Sequence, residues 1–126
     1  MNTVTETELK SFPLVGRGKV RDIYDLHRYL LIVATDRLSA FDVVFDDPIP
    51  DKGRVLTGLS VYWFQETASA FPNHLVSADL ETVPGLTVAE RSLLQGRSLV
   101  VKKGQVIPVE CVVRGYLAGS GWKEYQ

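Results

Sequence analysis

Between Leu14 and Thr35 the chain sets β-like runs one after another, with connections too short to hold a helix. LVGRGKVRDIYDL offers two short strands around Gly16, Arg17 and Gly18, and YLLIVAT (29–35) is an unbroken, β-branched apolar run suited to a central strand. Parallel neighbours need a crossover of a dozen or more residues, usually a helix, and none fits here. The front of the chain is therefore expected to form a mostly antiparallel sheet. With one or two helices packed on it, the fold class is α+β.

Further along, Val55 to about Phe71 reads as the main helix. Leu56, Leu59, Trp63 and Ala70 recur at helical spacing, and Pro72 follows as a stop. On this reading Tyr62 and Trp63 belong to the core. LVSAD (75–79) is a candidate strand, and Thr87 with Glu90 forms a capping-box pattern for a short helix ending at Gly96. SLVVKK (98–103) and VIPVECVVR (106–114) read as strands on either side of Gly104 and Gln105. A last helix is expected from Ser120, whose hydroxyl can cap its first turn. Residues 1–10 read as a loose arm or a short first helix.

A chain of 126 residues with 45% hydrophobic and 23% charged residues can bury one modest core. Its net charge of -1 gives no support to bulk attraction for nucleic acid or an anionic membrane, so any anion site must be local. No apolar stretch approaches the roughly 20 residues of a membrane span. The polar, acidic start MNTVTETELKSF is not expected to be a secretory signal. The single cysteine, Cys111, excludes an internal disulfide and fits a reducing cytoplasm; it reads as a buried structural thiol. His27 and His74 lack ligand spacing and read as surface residues.

Four constellations carry chemistry, each with a plainer alternative. Gly16 to Asp22 (GRGKVRD) places backbone amides beside Lys19 and Arg21, which alternation puts on one face, a pattern suited to polyphosphate; it is also what a solvated basic hairpin looks like. In DRLSAFD (36–42), Asp36 and Asp42 offer carboxylates for an ammonium or hydrated metal and Ser39 offers a hydroxyl for an anion, or the segment is simply an Asx- and Ser-rich turn. Lys52 lies within reach of the same cleft, while Asp51 reads better as a helix cap. Lys102 and Lys103 face opposite ways on a strand, so one points inward or both are solvated. Glu110 and Arg114, four apart on a strand, share a face. They are either a structural ion pair or a site in which the Arg114 fork holds an anion, with Ser120 adding a hydroxyl.

Read together, these segments resemble the SAICAR synthetase family, the phosphoribosylaminoimidazole-succinocarboxamide synthases of de novo purine biosynthesis. IPVECVVR (107–114), three residues and then Ala118, Gly119 and Ser120 is similar to that family's first signature. GKVRDIY (18–24), TDRLSAFD (35–42) and IPDKG (49–53) follow the family order, and the likeness spans roughly residues 14 to 126.

The resemblance implies ATP- and magnesium-dependent ligation of L-aspartate to the carboxylate of CAIR, with ATP between a kinase-like N-terminal lobe and a larger second lobe. It implies residues 1–104 as the ATP-binding lobe and 105–126 as the hinge and start of the substrate lobe. Gly18, Lys19 and Arg21 match the groups facing the ATP phosphates. Lys102, Gln105, Ile107 and Glu110 match the hinge and the nucleotide side, with Lys102 as the inward lysine. Arg114 and Ser120 match the residues that hold a phosphate or carboxylate of CAIR, and Asp36, Ser39, Asp42 and Lys52 line the same cleft. The hairpin cations and the Arg114–Ser120 pair are expected to converge on one hollow.

The family's second signature, D-x-K-x-E-x-G, and its later magnesium-binding acids do not occur in these residues. The chain is thus expected to be an N-terminal portion, inactive alone, and able to self-associate through a face the second lobe would cover. Two other classes remain open: a nucleotide-binding module without transfer chemistry, and a kinase-like phosphotransferase. V-A-I-K, H-R-D and D-F-G segments are not visible for the latter.

Overall fold

The computed structural model describes residues 3–126. Its centre is a five-stranded sheet of order β1-β2-β3-β7-β6, every neighbouring pair antiparallel. The strands are β1 (Leu14–Arg17), β2 (Arg21–Leu26), β3 (Tyr29–Ala34), β6 (Leu75–Ser77) and β7 (Ser98–Lys102). A two-residue hairpin, β4 (Ser39–Ala40) with β5 (Val43–Val44), interrupts the connection after β3. Among the described residues three α-helices, α1 (Lys52–Glu66), α2 (Val88–Leu94) and α3 (Ser120–Tyr125), and a 3-10 turn at Leu80–Thr82 complete the fold. The expected α+β, mostly antiparallel class is what the chain forms.

Ladder register sorts the sheet's side chains into two faces. Arg21 pairs with Ala34, Ile23 with Ile32, and Ile32 with Leu99, so these share one face. That face receives α1. Tyr24 pairs with Leu31, and Leu31 with Val100, placing them on the other. There the core closes against Leu9, Leu80, Val83, Leu86 and Leu94 from the N-terminal arm and the 80–94 segment. Side chains of this size stabilise by about 1.5–3 kcal/mol each when fully buried, so this second face carries most of the apolar burial.

The N-terminal arm is neither loose nor helical over residues 3–13; Met1 and Asn2, the start of the expected arm, lie outside the described residues. Buried carboxylates hold it. Asp36 accepts the Val4 N–H at 2.8 Å, Asp22 accepts the Thr7 N–H at 2.8 Å, and Glu90 accepts the Lys10 N–H at 2.7 Å.

Helix α1 departs from expectation at both ends and in rotation. It starts at Lys52 because the carboxylate of Asp36, distant in sequence, accepts the Gly53 N–H at 2.9 Å. Asp51 occupies the N-cap position at φ 59° with no side-chain cap bond, and instead pairs with Arg54 at 3.2 Å. The helix ends at Glu66, well before Pro72, where Asn73 Nδ2 donates to the Phe64 carbonyl at 2.9 Å. Its buried residues are Gly53 and Thr57, whereas Tyr62 is 52% exposed and Trp63 60%. Gly53 sets this rotation: a Cβ there would lie 2.2 Å from the Ala34 carbonyl oxygen, so the small-residue face meets the sheet. Of the expected stripe, Leu59 and Trp63 therefore face outward and Leu56 stands half-exposed at the seam with the sheet, and Tyr62 and Trp63 are not core.

Three smaller expectations also change. The first hairpin turns at Gly18, Lys19 and Val20, with Gly16 inside β1, so Lys19 lies in the turn and only Arg21 on the strand. Residues 103–119 form no strand or helix and are exposed, so the strand expected at 106–114 is absent. β7 already lies between β3 and β6, and among the described residues no other strand pairs with this segment, which leaves its backbone without a ladder. Cys111, on that segment, is an exposed thiol and not a buried one. By contrast, the Thr87–Glu90 capping box forms as read.

Candidate anion site between the sheet and the long helix

A pocket of about 200 Å³ lies in the seam between the first sheet face and α1. Arg21, Ile32, Ala34 and Leu99 line it from the sheet; Lys52, Leu56, Thr57, Ser60 and Phe64 line it from the helix, with His74 at its edge. Two of the sequence-predicted site residues, Arg21 and Lys52, thus face one cavity from different elements. Thr57, Ser60 and His74 were not anticipated; the first two would have emerged had Gly53 been read as a close-approach position fixing the helix rotation.

The electrostatics are cationic. Burial lowers the pKa of the Lys52 ammonium, the neighbouring Arg21 and Arg37 guanidinium groups lower it further, and Asp36 acts the other way. Asp36 gives limited relief because its carboxylate is fully engaged. One oxygen accepts Gly53 N–H at 2.9 Å and Arg97 Nη1 at 3.0 Å; the other accepts Val4 N–H at 2.8 Å. Burial alone would raise the pKa of Asp36, yet the Arg97 hydrogen bond and the two backbone donors bring it below its ordinary value. Asp36 is 0% exposed. It is presented to the helix start, to Arg97 and to the arm, not to a cleft.

Beside the pocket, one side chain shapes the glycine hairpin. Arg37 donates from Nε to the Lys19 carbonyl at 3.0 Å and from Nη2 to the Gly18 and Arg21 carbonyls at 2.8 and 3.3 Å. The same Nη2 meets Asp22 Oδ1 at 2.9 Å. Gly18 N–H closes the turn onto the Arg21 carbonyl at 2.8 Å. At the tip, Lys19 forms an ion pair with Asp42, which sits with Phe41 at positive φ (64° and 49°) between β4 and β5. Ser39, on β4, is half-buried and aligned with Val44.

The remaining predicted residues lie elsewhere. Lys102 ends β7 opposite Tyr29, on the face of Val100 and Leu31, away from Arg21 and Lys52. Lys103 falls on the pocket's face but pairs with Asp25 at 2.6 Å. Gln105, Ile107 and Glu110 are exposed on the extended 103–119 segment. Glu110 makes no ion pair with Arg114 among the described residues. Arg114 Nη2 instead donates to Ser120 Oγ at 3.1 Å. Ser120 is the first residue of α3, after an N-cap at Gly119, and makes no cap hydrogen bond. Neither Lys19 nor Arg114 lines the seam pocket or the hollows beside Arg17, Arg54 and Arg28. Nor do three or more His, Cys, Asp or Glu side chains group to hold a metal ion. No helix among the described residues is long and apolar enough to cross a membrane.

Comparison with known proteins gives one family. A phosphoribosylaminoimidazole-succinocarboxamide synthase of Thermodesulfovibrio yellowstonii is 56% identical over 125 residues, covering 99% of this chain and 43% of the relative. The synthase of Pelobacter propionicus is 52% identical over 123 residues, covering 98% of this chain and 42% of the relative. The solved SAICAR synthase of Saccharomyces cerevisiae, complexed with SAICAR, superposes at TM-score 0.88 with 46% identity, over 98% of this chain and 44% of that one. The chain thus spans less than half the length of the relatives it matches. Residues 14–126 match the family model described as SAICAR synthetase, and the chain belongs to that family.

Proposed function

We propose that this chain supplies the ATP-facing portion of a SAICAR synthetase, which joins L-aspartate to the carboxylate of CAIR at the expense of ATP in de novo purine biosynthesis. The observation that carries the reading is the meeting of Arg21 and Lys52 in one partly enclosed pocket beside the glycine hairpin, in a chain so similar to named synthases. Two cations on rigid elements suit the charge that develops during phosphoryl transfer. Gly18 and Lys19 extend that cradle once Asp42 releases the Lys19 ammonium. The CAIR carboxylate oxygen attacks the γ-phosphorus, ADP leaves, and an acyl phosphate forms. The aspartate amine then attacks the acyl carbon, forming C–N while the C–O bond breaks and phosphate departs.

Residues 105–126 serve this reaction as hinge and substrate wall. Gln105, Ile107 and Glu110 take the nucleotide side, and Arg114 with Ser120 takes an anionic end of CAIR. Lys102, at the same crossing, serves the nucleotide through its backbone, because its side chain stands on the far face of the sheet. Ser39 and Asp42 border the cleft, and Asp36 acts by fixing the start of α1, hence Lys52. Among the described residues no three His, Cys, Asp or Glu side chains group to hold the magnesium expected with ATP.

The 126 residues are not expected to complete turnover by themselves, because Arg114 is exposed and does not line the pocket of Arg21 and Lys52, and catalysis needs these groups held about one substrate. The test is SAICAR formation from ATP, CAIR, aspartate and magnesium. No product is expected from the chain alone, and product is expected when the remaining portion of the Thermodesulfovibrio relative is added. Turnover by the chain alone, or none with the added portion while both are folded, contradicts the reading.

A further inference from the structure

A second hollow, of about 620 Å³, opens on the sheet face opposite the anion pocket. Leu99 lines the first and Val100 the second, and consecutive strand residues point to opposite faces, so the two are separate sites. Phe12 and Tyr29 give this hollow aromatic walls, Val76 and Pro84 its apolar rim, and the buried Val83 and Val100 its floor. Volume and lining fall within the range of small-molecule pockets, about 300–1,000 Å³ and mainly apolar.

Charge narrows the occupant. No carboxylate lines the hollow, and Arg28 is its one fixed charge. The two rim hydroxyls of Ser77 and Thr82 are already engaged: the Ser77 hydroxyl bonds within the Asp79 turn, and Thr82 Oγ1 donates to the Asp79 carbonyl at 2.6 Å. Six of the eight arginines, Arg17, Arg37, Arg54, Arg91, Arg97 and Arg114, donate to a partner. Among the described residues Arg21 and Arg28 do not, and Arg21 stands at the anion pocket. Lys102, across the ladder from Tyr29 on the same face, adds to the positive potential.

We propose that this hollow binds a small planar aromatic molecule bearing one carboxylate, the ring seated between Phe12, Tyr29 and Val83 and the anion on Arg28.

Amide NMR spectra of the full chain, titrated with 1-naphthoate and separately with 1-naphthalenemethanol, test this. Saturable shifts are expected around residues 26–29, 76, 83 and 100 with both probes, and the acid should bind more tightly. Arg28→Gln should weaken 1-naphthoate about tenfold, the scale of one charge-assisted hydrogen bond, and leave the alcohol within about twofold. Val76→Trp, at a half-exposed rim position, should fill the hollow and abolish both. Shifts confined to α1 or residues 106–117, no saturation with either probe, or equal affinity of Arg28→Gln and the parent for 1-naphthoate would overturn the proposal. The Arg28 variant is on the surface, so its outcome stands even if Val76→Trp fails to fold.

Discussion

Arg37 and Asp22 meet at 2.9 Å inside the fold, and the guanidinium that makes this contact also holds the carbonyls of Gly18, Lys19 and Arg21. The hairpin tip is therefore fixed from beneath by one planar fork. Asp22 is equally committed: burial raises its pKa, but Arg37 and the Thr7 donors bring it below the ordinary value.

Arg37→Lys keeps the charge and loses the fork. A point-charge ammonium cannot reach the carbonyls of Thr5, Gly18, Lys19 and Arg21 and a carboxylate at once. We expect a loss of about 2–3 kcal/mol in urea unfolding, from hydrogen bonds to a charged group left unmade. Faster amide hydrogen exchange at residues 18–21 should accompany it. Unchanged exchange there would show that the turn holds without Arg37.

The second buried pair makes a sharper comparison. Arg97 and Asp36 lie 3.0 Å apart with side chains 1% and 0% exposed. Asp36→Ala strands a buried guanidinium and should cost about 3–5 kcal/mol. Replacing both residues with apolar ones (Asp36→Leu with Arg97→Met) should recover much of that loss, because neither charge then remains unpaired. Asp36 also caps Gly53, so recovery should be incomplete, with residual fraying at the start of α1 visible by amide exchange.

The sheet could be read from the sequence because its signals are local: apolar runs, short turns, and a capping box whose two partners sit three residues apart. α1 could not be read as well, because its start and rotation come from elsewhere. Asp36 caps Gly53 across 17 positions, and the Ala34 carbonyl permits only glycine at that crossing. A hydrophobic stripe ordinarily faces inward, and here close backbone contact won over it. The site divides in the same way. Arg21 and Lys52 follow from their motifs. The engagement of Asp36 by Arg97, 61 residues on, and of the arm by Asp22 and Glu90 depends on tertiary contacts that no short motif encodes. The 106–114 run met strand periodicity without a strand to pair with, and periodicity cannot supply that partner.

Acid should unfold the protein through its buried carboxylates. Backbone N–H donation from Thr87, with Ser11 and Lys10 adding to it against the opposing effect of burial, lowers the Glu90 carboxyl to about 2. The unfolded value is about 4.3. The folded pKa is the lower one, so the stabilisation is fully present above about pH 4.3 and is lost as pH falls toward 2. Asp22 and Asp36 shift in the same direction. Urea midpoints measured from pH 7 downward should fall most steeply in that window. Glu90→Gln should be less stable at pH 7 and show a shallower decline.

The most direct test of the account is calorimetric titration of ATP into the parent chain and into Arg21→Gln, Lys52→Gln and Arg114→Gln. The pocket at the sheet–helix seam predicts measurable binding that weakens about tenfold in each of the first two variants, falls with added salt, and is unchanged in the third. Equal affinity for ATP in the parent, Arg21→Gln and Lys52→Gln would contradict it.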